Sequence, residues 1–146
     1  MKAKLINDER GGERTFAVVF DSGEEVAAGL LRFAKENRLA AAQVTAIGAF
    51  SDVVLGYFQI DRKDYKRIPV RDQVEVLSLI GDIALDEKGE PTVHAHVVVG
   101  REDGTAMGGH LLEGHVRPTL EVIVAESPAQ LSRRHDPQTG LGLIRL

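Results

Sequence analysis

The spacing of apolar residues is helical in one stretch of this chain and strand-like after it. Between Gly23 and Asn37, the residues Val26, Leu30, Phe33 and Ala34 recur at helical spacing, with Glu24, Glu25, Arg32, Lys35 and Glu36 mostly elsewhere on the turn. That pattern predicts one amphipathic helix. Ser22 followed three residues later by Glu25 reads as a capping box at its start, and "RTFAVVF" before it reads as a strand. Beyond the helix, short apolar runs predict strands at Ala42 to Phe50, Val53 to Ile60, Tyr65 to Val70, Val74 to Leu85, Val93 to Gly100, Thr105 to Leu112 and Leu120 to Ala125. The segments "DRKD", "DEKGE" and "REDG" between them carry turn chemistry. Pro128 to Arg134 suggests a short turn of helix, and "TGLGLIRL" a final strand or loose tail. The expected fold class is α+β: one helix packed on a mostly antiparallel, barrel-like sheet. One domain is expected over residues 1–146, with a core at about 14–125 and a C-terminal extension at 126–146.

Composition adjusts this picture in few places. With 146 residues, 43% of them hydrophobic and 27% charged, the chain is long enough to bury a core and polar enough to stay in water. The polar N-terminus shows no leader pattern and no apolar run approaches a membrane span, so a cytoplasmic protein with no membrane partner is expected. The absence of cysteine excludes disulfides and thiolate chemistry and leaves His, Asp and Glu as the side-chain metal ligands. A net charge of −4 argues against nonspecific DNA affinity, which depends on Lys and Arg displacing counterions. The densest basic stretch, "DRKDYKRIPVRD" from Asp61 to Asp72, interleaves acids with its cations and reads as solvated surface.

Four of the five histidines fall within Pro91 to His115. On the strand "VHAHVVVG", Val93, Ala95, Val97 and Val99 share one face by the two-residue period, so His94, His96, Val98 and Gly100 share the other. If Glu102, Asp103 and Gly104 form a three-residue turn with Gly104 left-handed, Arg101 faces Thr105 and His96 pairs directly with His110. Met107 and Leu111 then join the valines in the core, and Gly108 lies opposite Val98, clearing side-chain bulk beside the histidines. A two-residue turn would slip the register by one and send His110 to the opposite face.

In the first register three imidazoles converge, since directly opposed side chains start about 4.5 to 5.5 Å apart. Three neutral imidazoles suit a divalent metal, zinc first, or iron or manganese with an added carboxylate, and an open fourth position is the catalytic rather than the structural arrangement. Glu75 and Glu121, on neighbouring strands, are candidates for a fourth ligand, a supporting partner or the wall of a ligand pocket. His115 and His135 read as solvated loop positions. The glutamate that follows the His-x-His of a cupin is missing, since Glu102 lies in the turn. No acid/base dyad, nucleophile elbow or phosphate loop names a reaction.

The segments "VTAIGAFSDVVLGYFQIDRKDYKR", "VEVLSLIGDIAL" and "HAHVVVGREDGTAMGGHLLEGHVRPTLEVIV" resemble the plants-and-prokaryotes-conserved (PPC) domain, over about Arg14 to Ala125. The resemblance implies an α+β fold, a homotrimer, and an architecture similar to that of acetolactate decarboxylase, a zinc enzyme with a His-x-His and a later His. It also implies a three-histidine site matched by His94, His96 and His110, which holds a metal in some members. Plant relatives carry the domain behind a basic minor-groove arm and many bacterial ones are called DNA-binding, but neither end of this sequence shows such an arm. Two functions follow as expectations. One is a metal-bearing trimer that binds a small anionic or carbonyl ligand, with or without transforming it; the other is a DNA-binding or regulatory module.

Overall fold

The computed structural model describes residues 1–9 and 13–145. Strand β1 (Lys2–Glu9) pairs antiparallel with β2 (Glu13–Asp21), and helix α1 (Val26–Glu36) follows. The strands after it are β3 (Ala41–Gln59), β4 (Asp64–Val70), β5 (Val74–Leu85), β6 (Pro91–Gly100), β7 (Ala106–Glu126), β8 (Ser132–His135) and β9 (Gly142–Arg145). The expected α+β class holds. β3 pairs with both β5 and β7, and β6 pairs with both β5 and β7, so these four strands close a ring. The strands β1 and β2, β4, and the β8–β9 hairpin leave that ring at its sides, so the sheet is barrel-like rather than a closed barrel.

Burial of one face explains the pattern. Phe20, Val44, Phe50, Leu55, Leu79, Val97, Leu120 and Val122 pack inside the sheet at 1% exposure or less. The helix lays Val26, Gly29, Leu30, Phe33 and Ala34 against them, and Phe33 meets Phe16 edge to face at 5.2 Å. Arg14 ties the sheet to the end of the helix, gripping the Glu126 carboxylate and donating to the Asn37 carbonyl.

Several local expectations give way to tertiary pairing. The helix begins at Val26, not at Gly23, and its cap is Glu25, whose carboxylate accepts from the backbone of Ala27 and Ala28. The segment before it is held elsewhere: Gly23 N–H donates to the Val116 carbonyl and Val116 N–H to the Glu24 carbonyl, so Ser22 never reaches the capping position. What reads as two strands between Ala42 and Ile60 is one, and the strands expected before Leu112 and after Leu120 are likewise joined in β7. Irregular register where β3 meets β7, at Gly48/Phe50, Phe50/Asp52 and Val54/Leu55, bends the pair without ending it. β1 carries no alternating pattern because it is an exposed edge strand. Pro128 to Arg134 contains no helix; β8 begins there instead, and β9 is the final strand, with Leu146 outside the described residues.

Candidate metal centre

The β6–β7 turn has the three-residue form. Arg101 N–H donates to the Thr105 carbonyl at 2.9 Å, Gly104 N–H donates back to Arg101, and Gly104 sits at φ +81°, a conformation glycine adopts without a Cβ clash. His96 therefore pairs with His110, Val98 with Gly108 and Gly100 with Ala106. Ala95, Val97, Val99 and Leu111 are buried and Met107 packs against them, leaving the histidines on the opposite face.

His94, His96 and His110 each present a ring nitrogen, and the three lie within 4.8 Å of one another. The rings of His94 and His110 are stacked with centroids 5.1 Å apart; His96 stands edge-on to both. Burial, and then the neighbouring imidazoles, push the His110 pKa down to about 4, and burial with His94 lowers that of His96. Both are thereby kept neutral at pH 7, the form that ligates a metal. His110 Nδ1 is buried without a hydrogen-bond partner among the described residues. Three imidazole nitrogens converging within reach of one point, one of them otherwise unsatisfied, fit a divalent ion.

Three further residues complete the site, and none stood out in the sequence. Asp82 on β5 is directly opposite His94, with Oδ2 3.7 Å from His94 Nδ1. Arg133 on β8 donates from Nη2 to Asp82 Oδ1 at 2.5 Å and lies 3.4 Å from His94 Nδ1. Asp82 is pulled in two directions: burial raises its pKa, but hydrogen bonds and charge from His94 and Arg133 outweigh that and leave it lowered, so it is ionised. Tyr65 on β4 stacks on His110 at 4.6 Å. It reaches across Gly56, the β3 residue paired with His110, where an added Cβ would stand 2.7 Å from the Tyr65 ring. Counting back through the "DEKGE" turn would have marked Asp82, whereas no sequence signal marked Tyr65 or Arg133.

The remaining expectations are placed differently. Glu75 pairs with Gly100, four residues along from His96, or about 13 Å at strand rise. Glu75 and Glu121 share a separate hollow with Ile47, Leu77 and Thr119, away from the histidines. Gly108 is beside the site, but its role is close strand approach: a Cβ there would stand 2.8 Å from the Val97 carbonyl oxygen rather than in open space. His115 is in β7, not a loop, half-exposed with Nδ1 2.8 Å from Asp52 Oδ1. His135 is exposed on β8, and its backbone N–H donates to Glu87. No helix among the described residues is long and apolar enough to cross a membrane.

The Plants and Prokaryotes Conserved (PCC) domain family matches residues 7–128. This chain belongs to that family. Among solved structures, a PPC protein from Pyrococcus horikoshii is 36% identical, covering 91% of this chain and 92% of its own, with a TM-score of 0.84. A protein from Archaeoglobus fulgidus named as metal-containing is 29% identical over 100% of this chain and 99% of its own, with a TM-score of 0.83. One from Bacteroides thetaiotaomicron, whose name assigns it provisionally to DNA binding, is 26% identical over 98% of this chain and 96% of its own, at 0.87. α-Acetolactate decarboxylase from Bacillus subtilis shares the fold, with a TM-score of 0.58 at 13% identity, covering 87% of this chain and 58% of its own. The bifunctional protein GlmU from Synechococcus sp. is 31% identical over 133 residues, 89% of this chain, but the chain spans only 20% of that relative.

Proposed function

We propose that this PPC-domain chain folds as one unit into a cytoplasmic homotrimer that holds one divalent ion, zinc, on His94, His96 and His110 and binds a small ligand beside it. The observation that carries the reading is the convergence of three imidazole nitrogens within 4.8 Å at the edge of a cavity of about 470 Å³. The metal-containing relative supports it at 29% identity over the full chain. A bound ion would supply Lewis-acid activation of a carbonyl or a nucleophilic water. Asp82 would orient His94 for it, and Tyr65 would hold the plane of His110 by stacking. For the trimer, Ile47, Leu77, Ile80 and Ile123 form an apolar outer patch, 61, 53, 58 and 42% exposed, that other copies of the chain would cover. Ile80 is directly opposite His96, so the patch adjoins the histidines.

The test is metal analysis of protein purified without a histidine tag. About one zinc per chain is expected, and His96→Ala should lose at least tenfold in affinity while keeping its fold, because His96 is exposed and outside the core. Full metal retention in His96→Ala would sink the reading.

A DNA-binding regulatory module is the second reading, favoured by the name of the Bacteroides relative. The surface argues against it: in the most basic stretch Arg67 is paired with Glu113, and Lys63 is turned to the Pro137 carbonyl.

A further inference from the structure

The cavity beside the histidines is built by two parts of the chain that are far apart in sequence. His94, His110 and Tyr65 form one wall, and the β8–β9 hairpin with the β5–β6 turn forms the other. The hairpin is attached to the sheet at its first end, where Leu131 accepts a backbone hydrogen bond from Leu85 and donates one to Ala40 and Ser132 pairs with Leu85, and by the Arg133–Asp82 ion pair, the Lys63 bond to Pro137 and the Glu87 bond to His135. The two charged side chains it brings to the cavity, Arg133 and Arg134, are both cations, and the β5–β6 turn adds Lys88. Arg134 and Lys88 line it and make no ion pair among the described residues. Arg133 also lines it, and its Nε is buried without an acceptor.

The acids nearby are occupied. Asp86 accepts from the backbone of Lys88 and Glu90, Glu87 accepts from His135, and Asp82 is held by Arg133. The wall therefore offers cationic donors lacking acceptors, while its carboxylates already have their partners. Lys88 and Arg134 can turn to a ligand in the cavity, and an anionic oxygen makes the strongest hydrogen bonds to such cations. Formal charge limits which anion fits. Lys88, Arg133 and Arg134 face Asp86, Glu87 and the nearby Asp82, a near balance that tolerates one added negative charge better than two. Between these groups Val93, Leu141 and Leu143 give the cavity an apolar stretch.

We propose that this cavity takes a small monocarboxylate with an apolar body, its carboxylate toward Arg134 and Lys88 and its body against Val93, Leu141 and Leu143. The inference rests on reading this cavity as the ligand site, but not on the metal, so the test is run on EDTA-treated full-length chain. Hexanoate, hexanamide and inorganic phosphate are titrated at physiological ionic strength by calorimetry and by amide NMR. Hexanoate should bind about tenfold tighter than its uncharged isostere and shift the Val93 and Leu143 signals. The exposed double variant Lys88→Gln/Arg134→Gln, which leaves the Arg133–Asp82 pair alone, should cost hexanoate about tenfold and hexanamide nothing. Equal binding of hexanoate and hexanamide, no binding of either, tighter binding of phosphate, or an unaffected double variant overturns it. Zinc content is measured separately: a chain without zinc that still selects hexanoate keeps this inference and loses the metal reading, and a zinc-bearing chain indifferent to charge does the reverse.

Discussion

Asp82 and His94 face one another directly across β5 and β6, with the carboxylate 3.7 Å from Nδ1 and paired with Arg133, which lies beside both. The β5–β6 turn sets this pairing: Leu85 opposes Pro91, and the count runs without interruption to Asp82 at His94. Beyond the histidines a β-bulge between Val76 and Ser78 shifts the register, so that Val76 opposes Val99 and Glu75 opposes Gly100.

The first prediction follows from that pair. A carboxylate held beside the second nitrogen of a ligating imidazole, as Asp82 is at 3.7 Å, helps to fix that ring's tautomer and orientation, and losing such a partner typically costs 10–100-fold in metal affinity. Asp82→Asn should therefore weaken zinc binding about tenfold or more, read by competition with a chromophoric chelator, while all three histidines remain. An unchanged affinity would remove Asp82 from the site.

The pH dependence of stability should show two histidines acting in opposite directions. His110 has its folded pKa lowered to about 4, below the value of about 6.5 for an unfolded histidine. Between those values the unfolded chain binds a proton that the folded chain does not, so metal-free protein should lose stability as pH falls from about 6.5 toward 4. His110→Gln should flatten that slope. His115 is the reverse case: its hydrogen bond to Asp52 raises its pKa, so the pair's contribution is full below about 6.5 and lost as pH rises through the raised folded value. Asp52 must also be ionised, and the same hydrogen bond from His115 lowers its pKa and favours that form. Asp52→Asn should thus cost up to about 1 kcal/mol at pH 6 and less at pH 9, by thermal melts at both values.

Assembly is tested through the apolar patch. Light scattering should give a mass of about three chains at micromolar concentration. Ile80→Glu, which puts a charge where Ile80 is 58% exposed, should shift the mass toward one chain without unfolding it. A monomeric parent chain would leave the patch without its occupant.

Duplex DNA should not bind appreciably at physiological salt. An assembly of three chains would carry ~−12, and repulsion of a polyanion acts within a Debye length of about 8 Å. Fluorescence anisotropy with random and AT-rich duplexes is the measurement. Submicromolar binding abolished by charge reversal at Lys63, Lys66 and Arg67 would restore the DNA-binding reading.

The sequence by itself determined the parts of this protein that depend on neighbours a few residues away. Alternation along "VHAHVVVG" put His94 and His96 on one face, and the turn "REDG", with its left-handed Gly104, set the register that adds His110. The helix followed from its own period. Most of what surrounds the three histidines was decided only by tertiary structure, because it depends on which distant strands come to lie beside them. Asp82 can be counted back from the "DEKGE" turn, but Tyr65 arrives by reaching over Gly56 from β4, and Arg133 by a hairpin whose one ladder pair with the sheet is Leu85 with Ser132. Glu75 and Glu121 look equally eligible on paper, yet they meet each other in a separate hollow because they lie far along their strands from the histidines. Local period fixes which face a side chain occupies, but position along that face is set by long-range register, which no short window of residues encodes.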